Sequence, residues 1–225
     1  MKKIAIIVAA GNGTRMNYAL PKQFMLLKGK PVLYYPIKRF FEAFDDCEII
    51  LVLPEEYVAA GQEIIDAFFD YNRIKITIGG STRFHSVQNG LKLAEAESIV
   101  FVHDAVRCLI SVDLIKRCYD AALEWGSAIP VVDCRDSVRL IINEENEGVD
   151  RNKIKQVQTP QVFHCGILLS AYQIDYKEKF TDDASVVEAY GLKLHLIEGE
   201  EHNIKITRPV DLVLAEYFME AETTN

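Results

Sequence analysis

Five short runs rich in Ile and Val, separated by longer amphipathic stretches, restrict what this chain can fold into more than any other feature. The runs are Ile4–Ala9, Glu48–Leu53, Ile74–Ile78, Ser98–Val102 and Ala128–Val132. They show little alternation of apolar and polar residues, as expected of parallel strands covered on both faces. Helical patterns fill the gaps at Pro31–Phe44, Glu55–Phe69, Thr82–Ala94 and Val112–Trp125. In the second, Val58, Ile64, Ile65, Phe68 and Phe69 recur at near-helical spacing, with Glu55, Glu56 and Asp66 turned away. This rhythm predicts an α/β fold, a doubly wound and mostly parallel sheet with right-handed crossovers.

After Val132 the rhythm breaks. Asp136–Ile142 and Lys153–Gln158 read as two strands separated by the polar stretch 143–148. That predicts a protruding hairpin arm or β insertion at about 136–158, within a single domain spanning 1–225. Helical stretches follow near Cys165–Gln173 and Asp182–Tyr190, then a strand at Lys193–Ile197 and a helix from Pro209 to about Glu220. Proline suits the first turn of that last helix.

The 225 residues are enough to bury a core without disulfides or a structural metal. A formal net charge of −8 makes the chain a poor generic binder of nucleic acid or anionic membranes. A local basic pocket for a small anion remains compatible with it. Cys47, Cys108, Cys118, Cys134 and Cys165 are odd in number and scattered, which argues for free thiols in a reducing cytoplasm. No apolar run reaches the roughly 18–20 residues of a membrane span. Met1-Lys2-Lys3 and the apolar residues after it are too short for a signal peptide and read as a first strand.

Three loops at the ends of predicted strands carry the chemistry. Behind the first lies Ala9-Ala10-Gly11-Asn12-Gly13-Thr14-Arg15-Met16, followed by Pro21-Lys22-Gln23. Glycines permit close backbone approach to a ligand, successive N–H groups can wrap phosphate oxygens, and Arg15 and Lys22 add two cations. The dinucleotide fingerprint lacks its third glycine here, and the Gly-Lys-Ser/Thr ending of a P-loop is missing. Behind the third strand, Gly79-Gly80-Ser81-Thr82 would let a flat base lie against the backbone, with Ser86 one turn in. The same residues fit a plain strand-to-helix turn capped by Ser81 or Thr82. Behind the fourth, His103-Asp104-Ala105-Val106-Arg107 places a carboxylate where open α/β sheets bind ligands. Asp104 can serve a metal–nucleotide complex or a sugar hydroxyl, or pair with Arg107 in a turn. Farther on, Lys205 stands between Ile204 and Ile206 and points opposite to both in a strand pattern.

Taken in order, these segments resemble the 2-C-methyl-D-erythritol 4-phosphate cytidylyltransferases over nearly the whole chain. The resemblance continues through Asp150-Arg151-Asn152, Thr159-Pro160-Gln161, Thr181-Asp182-Asp183-Ala184-Ser185 and Asn203-Ile204-Lys205-Ile206-Thr207-Arg208-Pro209. It implies a Rossmann-like nucleotidyltransferase fold whose arm serves dimerisation. It also implies attack of a sugar phosphate on the α-phosphorus of CTP, with magnesium required and pyrophosphate released. Carried over position by position, Arg15 and Lys22 look like the cations on the triphosphate. Ala9, Ala10, Gly11, Gly80, Ser81 and Ser86 look like cytidine contacts. Asp104, with Ala105 beside it, looks like the residue near ribose, metal and sugar diol. Arg107, Ser137, Arg151, Thr159 and Lys205 look like the sugar-phosphate site, with Arg151 serving the neighbouring subunit of a homodimer.

Three departures stand out. Ser81 replaces an Asp found in some relatives, Ser137 replaces a common Thr but keeps the hydroxyl, and Cys108 stands where Pro is usual. The ribitol-5-phosphate cytidylyltransferases are the nearest alternative, and a non-catalytic nucleotide-binding module is a more distant one. A Rossmann dehydrogenase is disfavoured by the missing glycine.

Overall fold

The Ile/Val-rich runs become strands of one sheet because helices pack on its two faces. The computed structural model describes residues 1–11, 20–69 and 71–224. Its strands are β1 (Lys2–Val8), β2 (Leu26–Leu27), β3 (Lys30–Pro31), β4 (Cys47–Leu53), β5 (Ile74–Ile78), β6 (Ser98–Asp104), β7 (Ser127–Asp133), β8 (Val138–Ile142), β9 (Glu145–Val149), β10 (Lys155–Val157), β11 (Gln161–His164) and β12 (Leu196–Glu198). Its helices are α1 (Tyr34–Ala43), α2 (Val58–Phe68), α3 (Arg83–Leu91), α4 (Val112–Trp125), α5 (Cys165–Ala171), α6 (Asp183–Ala189) and α7 (Pro209–Thr224).

The main sheet runs β10-β7-β11-β6-β1-β4-β5, with β12 also on β7. Its pairs are parallel except where β10 and β11 run against their neighbours. The pleat divides β1 between two cores. Ala5 and Ile7 meet α1, α2 and α4 on one face, while Ile4 and Ile6 meet α3, α5 and α6 on the other. A third, smaller core of Leu27, Val32, Val106, Cys108, Leu109, Ile206 and Ala215 seats α7.

Two local expectations are corrected. The partner of β8 is β9, inside the stretch read as a polar turn; the chain reverses at Asn143 and Glu144, both with positive φ. Lys155–Val157 leaves the hairpin and pairs with β7 instead. The second correction concerns handedness. Both α1 and α4 pack on the same face, yet β4 lies to one side of β1 and β7 lies beyond β6 on the other. The β1–β4 and β6–β7 crossovers therefore have opposite hands. Right-handedness does not hold throughout, and the exception involves a unit in which antiparallel β11 stands between the two parallel strands.

This topology leaves an opening. The chain leaving β1 runs toward β4, and the chain leaving β6 runs toward β7. Their loops diverge at neighbouring strand ends, Val8 and Asp104, which share a register position. Ligands of open α/β sheets occupy crevices of this kind.

Candidate active site

A cavity of about 510 Å³ fills that crevice. The ladder carries the chain to its edge: the Ala9 N–H donates to the Val52 carbonyl at 2.9 Å, and the Gly79 N–H to the Leu53 carbonyl at 2.7 Å. Gln23, 1 % exposed, donates from its amide to the Ala9 carbonyl at 2.6 Å and to that of Gly11 at 3.4 Å. It ties the Lys22 segment to the first loop. On the opposite wall, the buried Ser86 hydroxyl accepts from the Gly80 N–H at 3.1 Å and donates to the Thr82 carbonyl at 2.9 Å. Thr82 rather than Ser81 caps α3, accepting from the His85 N–H. The absence of side chains at the glycines is structural. A Cβ on Gly79 would lie 2.4 Å from that of Ala10, and one on Gly80 would lie 2.3 Å from that of His85.

The charged lining consists of Lys22, Arg83 and Lys205 against Asp104. The acidic chain thus presents a locally cationic cavity. Asp104 ends β6 and is 7 % exposed; Oδ1 accepts from Arg83 Nε at 3.2 Å and Oδ2 from Lys205 Nζ at 2.6 Å. Burial by itself pushes this carboxyl up, but Arg83 and Lys205 more than offset it and hold it well below the usual carboxylate range. Lys22 Nζ donates to the Ile206 carbonyl at 3.1 Å, which joins the first cradle to the Lys205 segment.

Directly beneath lies a polar knot. The Asp104 N–H donates to Thr159 Oγ1 at 3.1 Å, and that hydroxyl stands 3.2 Å from His103 Nδ1. His103 Nε2 meets the Arg107 carbonyl at 3.0 Å. A neutral ring with its proton on Nε2 satisfies both contacts.

Of the residues expected at the site, the structure brings together Ala9, Ala10, Gly11, Lys22, Gly80, Ser81, Ser86, Asp104 and Lys205 around the cavity. Ala105 is buried below, its N–H on the Val8 carbonyl at 3.1 Å. Thr159 is likewise buried, its hydroxyl turned inward to His103 and Asp104. Arg107 donates to the Asn203 carbonyl at 2.7 Å and to that of Val157 at 3.3 Å, while its buried Nε has no partner among the described residues. Ser137 and Arg151 are exposed and do not line this cavity. Arg151 donates to the Arg135 carbonyl at 2.7 Å. Arg15 falls outside the described residues. Sequence reasoning gave no site role to Gln23 or Arg83. Their signal lay at the motifs themselves: Gln23 ends Pro21-Lys22-Gln23, and Arg83 directly follows Gly79-Gly80-Ser81-Thr82.

The profile of the 2-C-methyl-D-erythritol 4-phosphate cytidylyltransferase family matches residues 3–221. The chain is 45 % identical over 216 residues to the protein of that name from Phocaeicola vulgatus, covering 96 % of this chain and 99 % of the relative. The Porphyromonas gingivalis protein of the same name is 42 % identical over 219 residues, covering 97 % and 98 %. Among solved structures, the 4-diphosphocytidyl-2C-methyl-D-erythritol synthase of Anaerococcus prevotii superposes with a TM-score of 0.83 at 26 % identity, covering 97 % and 98 %. The Thermus thermophilus cytidylyltransferase gives 0.75 at 30 % identity, covering 97 % and 99 %. With the cavity at the expected strand ends and the family profile spanning nearly the full length, this chain belongs to the 2-C-methyl-D-erythritol 4-phosphate cytidylyltransferase family.

Proposed function

We propose that this protein transfers the cytidylyl group of CTP to 2-C-methyl-D-erythritol 4-phosphate, giving 4-diphosphocytidyl-2-C-methyl-D-erythritol and pyrophosphate in isoprenoid precursor synthesis. The observation that carries this reading is the convergence of the glycine loop, Lys22, Asp104 and Lys205 on one cavity in a chain of this family. The acceptor is a phosphomonoester, nearly doubly charged at neutral pH, and serves as its own nucleophile. The difficulty is to bring it in line onto a second anion. Cations supply what the reaction needs: we assign Arg15 and Lys22 to the triphosphate, and Lys205 and Arg107 to the acceptor. The backbone at Ala9, Ala10, Gly11 and Gly80, with Ser81 and Ser86, takes the cytidine.

Magnesium fits this donor set in one way. Among the described residues no group of three His, Cys, Asp or Glu side chains could hold a metal, and Asp104 is the sole carboxylate on the cavity wall. Magnesium needs few protein ligands when phosphates supply the rest, so Asp104 would hold it beside the nucleotide. Bound there, the ion would draw charge from the transferring phosphoryl group.

The protein works as a homodimer in which the β8–β9 hairpin is the dimerisation arm. Ser137 and Arg151 of the partner subunit complete the acceptor site, which agrees with their distance from this chain's own cavity. A cytoplasmic setting fits the five free thiols and the lack, among the described residues, of a helix long and apolar enough to cross a membrane.

The test is a pyrophosphate-release assay crossing four nucleoside triphosphates with methylerythritol phosphate and ribitol 5-phosphate, with and without magnesium. The expected result is turnover with CTP and methylerythritol phosphate only, and only with the metal. Faster turnover with ribitol 5-phosphate, or none with any pair, overturns the reading.

A further inference from the structure

Arg83 opens α3 directly behind the glycine pair, and two carboxylates share its guanidinium. Nε donates to Asp104 Oδ1 at 3.2 Å, and one terminal nitrogen donates to Asp183 Oδ2 at 2.8 Å. Asp183 is fully buried and is gripped from its other side by the Tyr172 hydroxyl, which donates to Oδ1 at 2.6 Å. Tyr172 is itself buried and stacked on Phe84, with ring centroids 4.7 Å apart. Gln161 pins the start of α6, which Asp183 opens, accepting from the Ala184 N–H at 2.7 Å and donating to Asp182 at 2.8 Å. The guanidinium therefore sits on a buried frame.

Lys205 makes a different contact with the same aspartate. Its side chain is 40 % exposed against 22 % for Arg83, and it rides on a flexible four-carbon stem. Asp104 has one fixed cation and one exchangeable cation. We propose that Arg83 is a positioning residue, anchored by Asp183 and Tyr172, that keeps Asp104 in place when Lys205 turns from it to the acceptor phosphate. This rests on the cytidylyl-transfer reading of the site. A lysine at position 83 cannot do the same, because a point charge does not span two carboxylates as a planar fork does.

The experiment compares pyrophosphate release from CTP and 2-C-methyl-D-erythritol 4-phosphate by wild type, Arg83→Lys, Asp104→Asn and the double variant, each first shown to unfold cooperatively. Arg83→Lys is expected to lower kcat by about tenfold or more while the KM for CTP stays within about twofold. In the Asp104→Asn background the same substitution is expected to cost nothing further, since its effect passes through Asp104. Equal losses in both backgrounds, an unchanged kcat, or a change confined to the KM for CTP overturn the proposal; the last is what a purely structural role at the Gly79–Thr82 turn would give. Absence of wild-type turnover instead overturns the cytidylyl-transfer reading, and the proposal with it. If Arg83→Lys does not fold, Tyr172→Phe replaces it in the same cycle, with a severalfold loss of kcat expected and an unchanged kcat overturning the proposal.

Discussion

His103, buried in β6 beneath the cavity, is pushed by desolvation down to about 4 from 6.5. The unfolded chain therefore binds a proton at this residue before the folded one does. Stability is at its full value above about pH 6.5 and is lost as pH falls from there through 4, by roughly 3 kcal/mol for this group alone. Melting temperatures measured across that window should fall for wild type, and the slope should flatten in His103→Gln. A second residue-scale outcome concerns Gly79. Its Ala variant places a methyl 2.4 Å from Ala10 and 3.5 Å from the Leu53 carbonyl, so Ala10 must move. Gly79→Ala should lower the melting temperature, and the KM for CTP should rise about tenfold or more; an unchanged KM would show that this wall does not face the nucleotide. At this scale Asp104 and Lys205 were legible because one ended a strand pattern and the other broke an apolar one. Arg83 was not, because an arginine in a first helical turn reads the same whether it is solvated or bridges two buried acids.

Among elements, the five parallel strands were legible from their Ile and Val content: β1, β4, β6 and β7 each hold a run of four or more buried residues, whereas edge strand β5 buries Ile74 alone. The antiparallel β2–β3 pair, β9 and β11 were not legible. Gln161–His164 is a four-residue strand directly after a proline, and its polar ends serve other partners: Gln161 caps α6, and His164 starts α5. The β9 sequence Glu145-Asn146-Glu147-Gly148-Val149 has no apolar face, because four of these residues are exposed and none is buried. Strands without a buried face leave no period in the sequence. The same isolation yields a prediction. Residues of β8 pair with those of β9 in a sheet of their own, and Leu140, Ile141 and Ile142 are exposed. Replacing residues 139–148 by a short turn should leave far-ultraviolet circular dichroism close to wild type and shift the melting temperature of the monomeric fold by no more than a few degrees, roughly 1 kcal/mol. A collapse of the main sheet in that variant would mean that the hairpin stabilises the fold that carries it.

For the whole molecule, the proposed site is divided between two chains. One chain supplies the cavity with Lys22, Asp104 and Lys205, while Arg151 and Ser137 lie outside it. If a twofold-related copy returns them, two inactive variants should complement each other. Mixing Lys22→Ala and Arg151→Ala chains gives mixed dimers with one intact site and one doubly impaired site. Random exchange should then restore about a quarter of wild-type turnover. Pyrophosphate release by a purified mixed dimer, expected at about half of wild type because one of its two sites is intact, checks this, and no recovery there would assign each site to a single chain.

Thr159 has a mechanical consequence. The polypeptide that projects outward after β7 rejoins the sheet at β10, and two residues past it the Thr159 hydroxyl takes the Asp104 N–H. The projection is thus riveted at its root to the strand tip that bears Asp104. A second chain docking on the hairpin, as proposed above, would pull on the segment that also holds the Asp104 backbone through Thr159.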